Sequence, residues 1–200
     1  SASGAPLRSR AFLMTKTAKD PALQAFLRSH SSSQKLGFDE LNRRVMKNLN
    51  QIAADVKPGA ITFIREILSF VFNNIYDGLD IDKKGLENVR QAARKGSIVY
   101  VPCHKSHIDY LVLSYVLYFN WMSVPYIAAG VNLSFFPVGT LLRNCGAFFM
   151  RRSFHNDPVY SQTFSAYIRT ILSERIPFEF FIEGTRSRSG KLMMPKKGLL

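Results

Sequence analysis

At 200 residues, with 46% hydrophobic side chains, the chain is long enough to bury one sizeable core and too apolar to be a disordered polymer. Lysine and arginine number 27 against 14 acidic residues, a formal charge of +13 that points to nucleic acid, an anionic membrane surface or phosphorylated ligands as partners. The two cysteines, Cys103 and Cys145, sit in apolar stretches without paired spacing, which argues against a disulfide framework or a zinc cluster and for a reducing, cytosol-facing compartment.

The positive charge gathers toward the two ends, and Tyr110 to Leu142 contains no Asp, Glu, Lys or Arg. A membrane-crossing helix needs roughly 20 consecutive apolar residues. Asn120, Pro125, Gly130 and Asn132 interrupt the uncharged stretch, so it reads as buried core with a membrane-contacting surface and not as a span. Residues 1–10 lack the apolar run of a leader, and no signal peptide is expected.

The first 34 residues are basic and serine-rich, with a short helix predicted over Pro21–Arg28, where Pro21 follows Asp20 in a favoured first-turn position. Apolar residues at helical spacing predict two longer helices, Phe38–Val56 and Ile61–Tyr76, separated by Pro58-Gly59. A third, Leu86–Arg94, closes at Gly96. Beyond Gly96, short apolar runs alternate with helical ones. Strands are predicted at Ser97–Pro102, Val124–Ala129, Ala147–Arg151 and Phe178–Ile182, and helices at Ile108–Phe119, Phe135–Asn144 and Pro158–Ser173. This alternation predicts an α/β fold, a largely parallel sheet covered by helices, preceded by a helical N-terminal region over 1–96.

In such sheets ligands bind beyond the carboxyl ends of the strands. Three polar constellations lie there. After the first strand, His104 and Asp109 stand five residues apart across a strand-to-helix turn, and an aspartate that fixes one ring nitrogen as donor leaves the other free as a base. The structural alternative is a helix cap, because Ser106 with Asp109 three positions on resembles a capping box. His107 reads as a turn or cap residue. Metal binding by Cys103, His104, His107 and Asp109 lacks a supporting ligand cluster, and an acyl-enzyme on Cys103 is disfavoured because strand neighbours face opposite ways. After the third strand, Arg151 and Arg152 follow four apolar residues, a costly placement unless an anion meets at least one of them. After the last strand, Glu183 and Gly184 lead into Arg186, Arg188 and Lys191 with the hydroxyls of Thr185, Ser187 and Ser189, a basic loop suited to phosphate or simply to solvent.

Taken together, HKSHID, GAFFMRR and FIEGTRS resemble three successive blocks of the glycerolipid acyltransferases, the first being their H-x4-D block. PCHKSHIDYLVLSYVLY and IAAGVNL look most like the large bacterial, membrane-associated glycerol-3-phosphate acyltransferases. The resemblance covers Ser97–Leu200, and more loosely the helical region before it. It implies a catalytic domain over 97–200 that continues past Leu200, since the family's fourth, proline-containing block does not occur before that point. It also implies that His104 deprotonates the sn-1 hydroxyl of glycerol 3-phosphate as it attacks the thioester of acyl-CoA or acyl carrier protein. Asp109 would orient His104, and Arg152, Glu183, Gly184, Arg186 and Arg188 would bind the phosphorylated acceptor. The product would be lysophosphatidic acid for phospholipid biosynthesis, made at the cytoplasmic face of the inner membrane by a peripheral enzyme touching anionic lipid. No metal and no cofactor is implied beyond the acyl donor. Dihydroxyacetone-phosphate acyltransferases share EGTRSRS and are the alternative, alongside a non-catalytic membrane-binding module. A nucleic-acid partner is not expected, because the basic residues surround the proposed site and no nucleic-acid-binding motif accompanies them.

Overall fold

The computed structural model describes residues 7–74, 79–106, 109–154, 156–184, 187, 189, 191 and 193–195. The helices are α1 (Arg10–Ala18), α2 (Pro21–Gln34), α3 (Phe38–Ile52), α4 (Pro58–Asn74), α5 (Lys83–Lys95), α6 (Asp109–Phe119), α7 (Val138–Asn144) and α8 (Pro158–Ser173), and the strands are β1 (Val99–Tyr100), β2 (Tyr126–Gly130), β3 (Ala147–Met150) and β4 (Phe178–Glu179). The sheet has the order β1-β4-β2-β3, with β4 parallel to both of its neighbours. The chain is therefore α/β, with a helical N-terminal region, as its alternating pattern predicts. Among the described residues no helix is long and apolar enough to cross a membrane.

The chain divides into two units, each drawing on residues from both sides of position 97. The unit of residues 7–56 and 129–174 is built on α8, against which α1, α2 and α3 pack. In α3 the apolar residues recur three and four apart, so Leu41, Val45, Leu49 and Ile52 form one buried stripe. Helix α3 packs on α8, whose Tyr160, Phe164, Tyr167 and Ile171 are also buried, and Phe148 and Phe149 of β3 complete the core. Local chemistry sets the helix starts: Asp20 and Asp157 each cap through a side-chain oxygen, followed by Pro21 and Pro158 in the first turn. Buried polar groups are paired across the helices, with Thr17 Oγ1 donating to Thr170 Oγ1 at 3.0 Å and the Ala54 N–H donating to Tyr167 Oη at 3.1 Å.

The other unit, residues 57–128 with 175–195 among those described, carries α4, α5, α6, β1, β4 and most of β2. Its parallel ladder sets Val99 opposite Phe178 and Tyr100 opposite Glu179 on one side of β4, and Tyr126 opposite Phe178 and Ile127 opposite Glu179 on the other. The Phe180 N–H donates to the Tyr100 carbonyl at 3.1 Å, which carries the pairing one residue past β4. Helices α4 and α6 touch through Phe72 and Tyr115, whose ring centres lie 4.9 Å apart.

Several expected elements shift in extent. Helix α1 was not expected, and α2 runs to Gln34 instead of ending at Arg28, because a buried face of Leu13, Leu23 and Leu27 outweighs weak local helical signals. The strands expected over Ser97–Pro102 and Phe178–Ile182 are regular only at Val99–Tyr100 and Phe178–Glu179. The chain past each turns into the loop that carries polar chemistry.

Candidate active site

The short strands deliver three loops, and two of them meet within one unit. His104 follows β1 and Asp109 opens α6. Oδ2 of Asp109 accepts the backbone N–H of Lys105 at 2.7 Å and of Ser106 at 2.7 Å, and lies 3.3 Å from Nδ1 of His104. One oxygen thus makes both of the contacts that the sequence leaves open: it accepts from the turn before α6 and faces the imidazole. A carboxylate can only accept, so Nδ1 carries the hydrogen and Nε2 keeps a lone pair. Burial by itself would push the Asp109 carboxyl up. The two N–H donors and His104 outweigh that and hold it below its usual range, so Asp109 is an anion at neutral pH.

Phe181 stacks on the His104 ring, with centres 4.1 Å apart and planes 27° from parallel. The Ser187 N–H donates to the His104 carbonyl at 2.8 Å. The loop after β4 therefore grips both the ring and the backbone of the histidine. Within that loop the Gly184 N–H bonds back to the Phe181 carbonyl at 2.9 Å, and Gly184 adopts φ 67°, a left-handed conformation that other residues rarely take. Glu183 is 3% exposed, and its Oε2 is buried without a hydrogen-bond partner among the described residues. The dyad is open by comparison: the side chains of His104 and Asp109 are 18% and 23% exposed. Arg186 and Arg188 lie outside the described residues.

The arginine pair after β3 belongs to the other unit. Arg151 is held by the protein: its Nη1 donates to Asp157 at 2.8 Å, its Nε to Gln51 at 3.0 Å, and its guanidinium covers the Tyr160 ring at 4.0 Å. Asp157 is the anion that meets Arg151, whereas Arg152 is exposed and has no partner among the described residues.

The profile of the acyltransferase family matches residues 80–200. The chain belongs to that family. It is 41% identical to the glycerol-3-phosphate acyltransferase of Ectopseudomonas mendocina (strain ymp) over 90% of its own length, which is 22% of that protein. Against the proteins of the same name from Pseudomonas fluorescens (strain SBW25) and Actinobacillus pleuropneumoniae serotype 3 (strain JL03) it is 39% identical, over 98% and 100% of this chain and 23% and 24% of theirs. The chain thus spans under a quarter of the length of these curated relatives.

Two features of this acyltransferase-family chain are not predicted by the sequence pattern. The strand expected over Phe178–Ile182 gives Phe181 only a structural place, yet its ring packs on His104. Glu179 is fully buried inside FEFFIEG, and the signal for it is a single acid amid aromatic residues on an apolar strand.

Proposed function

We propose that this chain carries the base and the acceptor-binding residues of a glycerol-3-phosphate acyltransferase. The intact protein moves a fatty acyl group from acyl-CoA or acyl carrier protein to the sn-1 hydroxyl of glycerol 3-phosphate, giving lysophosphatidic acid. The observation that supports this most directly is the imidazole of His104, held between Asp109 at 3.3 Å and the face of Phe181 at 4.1 Å with Nε2 as the remaining basic atom.

In the reaction, Nε2 takes the hydroxyl proton as the acceptor oxygen attacks the thioester carbonyl. Asp109 stabilises the imidazolium so formed. The tetrahedral adduct then expels the thiolate, the C–S bond breaks, and the imidazolium returns its proton to sulfur. No acyl-enzyme is needed. Glu183, Gly184, Arg186 and Arg188 bind the acceptor in this reading, the arginines meeting its phosphate and the Gly184 turn bringing backbone close to it, and Arg152 keeps the acceptor-binding role that the family resemblance implies. Large apolar side chains at the surface, Phe63, Phe70 and Trp121 in one unit and Phe135 and Phe136 in the other, together with the +13 charge, support contact with an anionic bilayer on the cytoplasmic side.

The test is His104→Ala in the intact protein, assayed with glycerol 3-phosphate and an acyl thioester. We expect kcat to fall at least about 100-fold, the low end of general-base contributions, with an unchanged circular dichroism spectrum. Near-normal turnover by the folded variant would remove the base from this reading.

A further inference from the structure

A general base must have its ring plane fixed as well as its tautomer. The contact between Nδ1 of His104 and Asp109, at 3.3 Å, lies at one corner of the imidazole. A hydrogen bond at one atom leaves a ring able to swing about the line joining donor and acceptor, and that swing would carry Nε2 through an arc. Phe181 closes off this freedom. Its ring lies against the face of the imidazole, with centres 4.1 Å apart and planes 27° from parallel, so the histidine cannot turn without breaking the stack.

The brace is itself held at both ends. Phe180, one position before it, is 2% exposed, and its N–H donates to the Tyr100 carbonyl at 3.1 Å. Three positions after it, the Gly184 N–H donates to the Phe181 carbonyl at 2.9 Å, in a turn that depends on the positive φ of Gly184. Tyr100 ends β1, and His104 follows it by four residues. Base and brace therefore extend from two parallel, hydrogen-bonded strands, and the Ser187 N–H ties the His104 carbonyl to the same loop at 2.8 Å. Filling the core explains Phe180 better than it explains Phe181, which is only half-buried and presents a ring face to the imidazole.

We propose that Phe181 is a positioning residue for acyl transfer: its ring sets the plane of His104 so that Nε2 faces the acceptor hydroxyl, and its aromatic face stabilises the imidazolium that forms as the proton moves. The inference rests on the reading of His104 as the base. Charge develops on the imidazole only as the hydroxyl proton transfers, so attraction between that cation and the ring face favours the transition state over the ground state. This acts in the same direction as Asp109. Displacing a reacting atom by about 1 Å can cost about 100-fold, so the loss of orientation adds to the loss of the attraction.

The experiment is steady-state kinetics of the intact protein with glycerol 3-phosphate and an acyl thioester, for Phe181→Leu, Phe181→Met and Phe181→Tyr, with folding read by circular dichroism. Leu and Met keep apolar bulk and remove the flat face, in two different packings, so that one misfolded variant does not decide the result. Tyr restores the face. Folded Leu and Met variants should lose about tenfold in kcat, which is about 1.4 kcal/mol at the transition state, with the acceptor KM within about twofold of wild type. Tyr should turn over at least about threefold faster than Leu, a rescue that packing alone would not give. In a His104→Ala background, Phe181→Leu should cost no further kcat, because the ring acts through the histidine. A folded Leu or Met variant with kcat within about twofold of wild type, or a Tyr variant as slow as Leu, overturns the proposal. If His104→Ala itself keeps near-normal turnover, the base reading fails; if it loses turnover while the Phe181 variants do not, only the role of Phe181 fails.

Discussion

Asp109→Asn separates the two duties that one oxygen performs. An asparagine carbonyl can still accept the Lys105 and Ser106 N–H groups, so the turn before α6 keeps an acceptor. What it loses is the negative charge near the helix N-terminus, worth about 0.3–1 kcal/mol. Asp109→Ala deletes the acceptor as well, leaving two N–H groups without their charged partner, and should cost about 1–3 kcal/mol. The charge matters more to the reaction. An anion 3.3 Å from Nδ1 stabilises an imidazolium by about 5 kcal/mol at an effective dielectric near 20. Spreading both charges over their groups lowers this to about 3 kcal/mol, which corresponds to roughly 100- to 200-fold in kcat. Both variants should therefore lose kcat to this extent while differing in denaturation midpoint, and His104→Ala/Asp109→Asn should be no slower than His104→Ala alone. The assays are steady-state kinetics and urea denaturation on the same preparations. An asparagine variant within about threefold of wild-type kcat would refute the electrostatic role, and one as unstable as the alanine variant would refute the capping role.

Glu179 also makes a prediction about stability. Its folded-state value, raised from 4.5 to about 8, means that the folded chain holds a proton the unfolded chain releases, so stability contributed by this group is full below 4.5 and is lost as pH rises through 8. At about 1.4 kcal/mol per pH unit the loss is on the order of 4 kcal/mol, and Glu179→Gln should abolish it, as denaturation at pH 5 and pH 8.5 would read; equal pH dependence in both proteins would contradict the buried-acid assignment. Arg152→Ala and Arg186→Ala should each raise the acceptor KM while leaving the donor KM within about twofold, since each removes a charge-assisted contact to phosphate. A rise in donor KM alone would move these arginines to the acyl carrier.

Helix α8 illustrates what the order of residues determines unaided. Asp157 and Pro158 are adjacent, the cap and the fixed proline φ act within one turn, and the predicted limits Pro158–Ser173 match the structure. The same locality made the turn between His104 and Asp109 legible, because a five-residue separation confines both groups to one loop. Tertiary structure decided what depends on distant partners. Strand β4, the last of the described strands, inserts between β1 and β2, and no local pattern encodes that order. Of two adjacent arginines, Arg151 is satisfied by Gln51, a hundred positions away, and by Asp157, and this leaves Arg152 exposed. Glu179 is an ordinary acid in sequence and becomes a proton-holding one only because β1 and β2 close over both its sides and exclude the water that would solvate its charge.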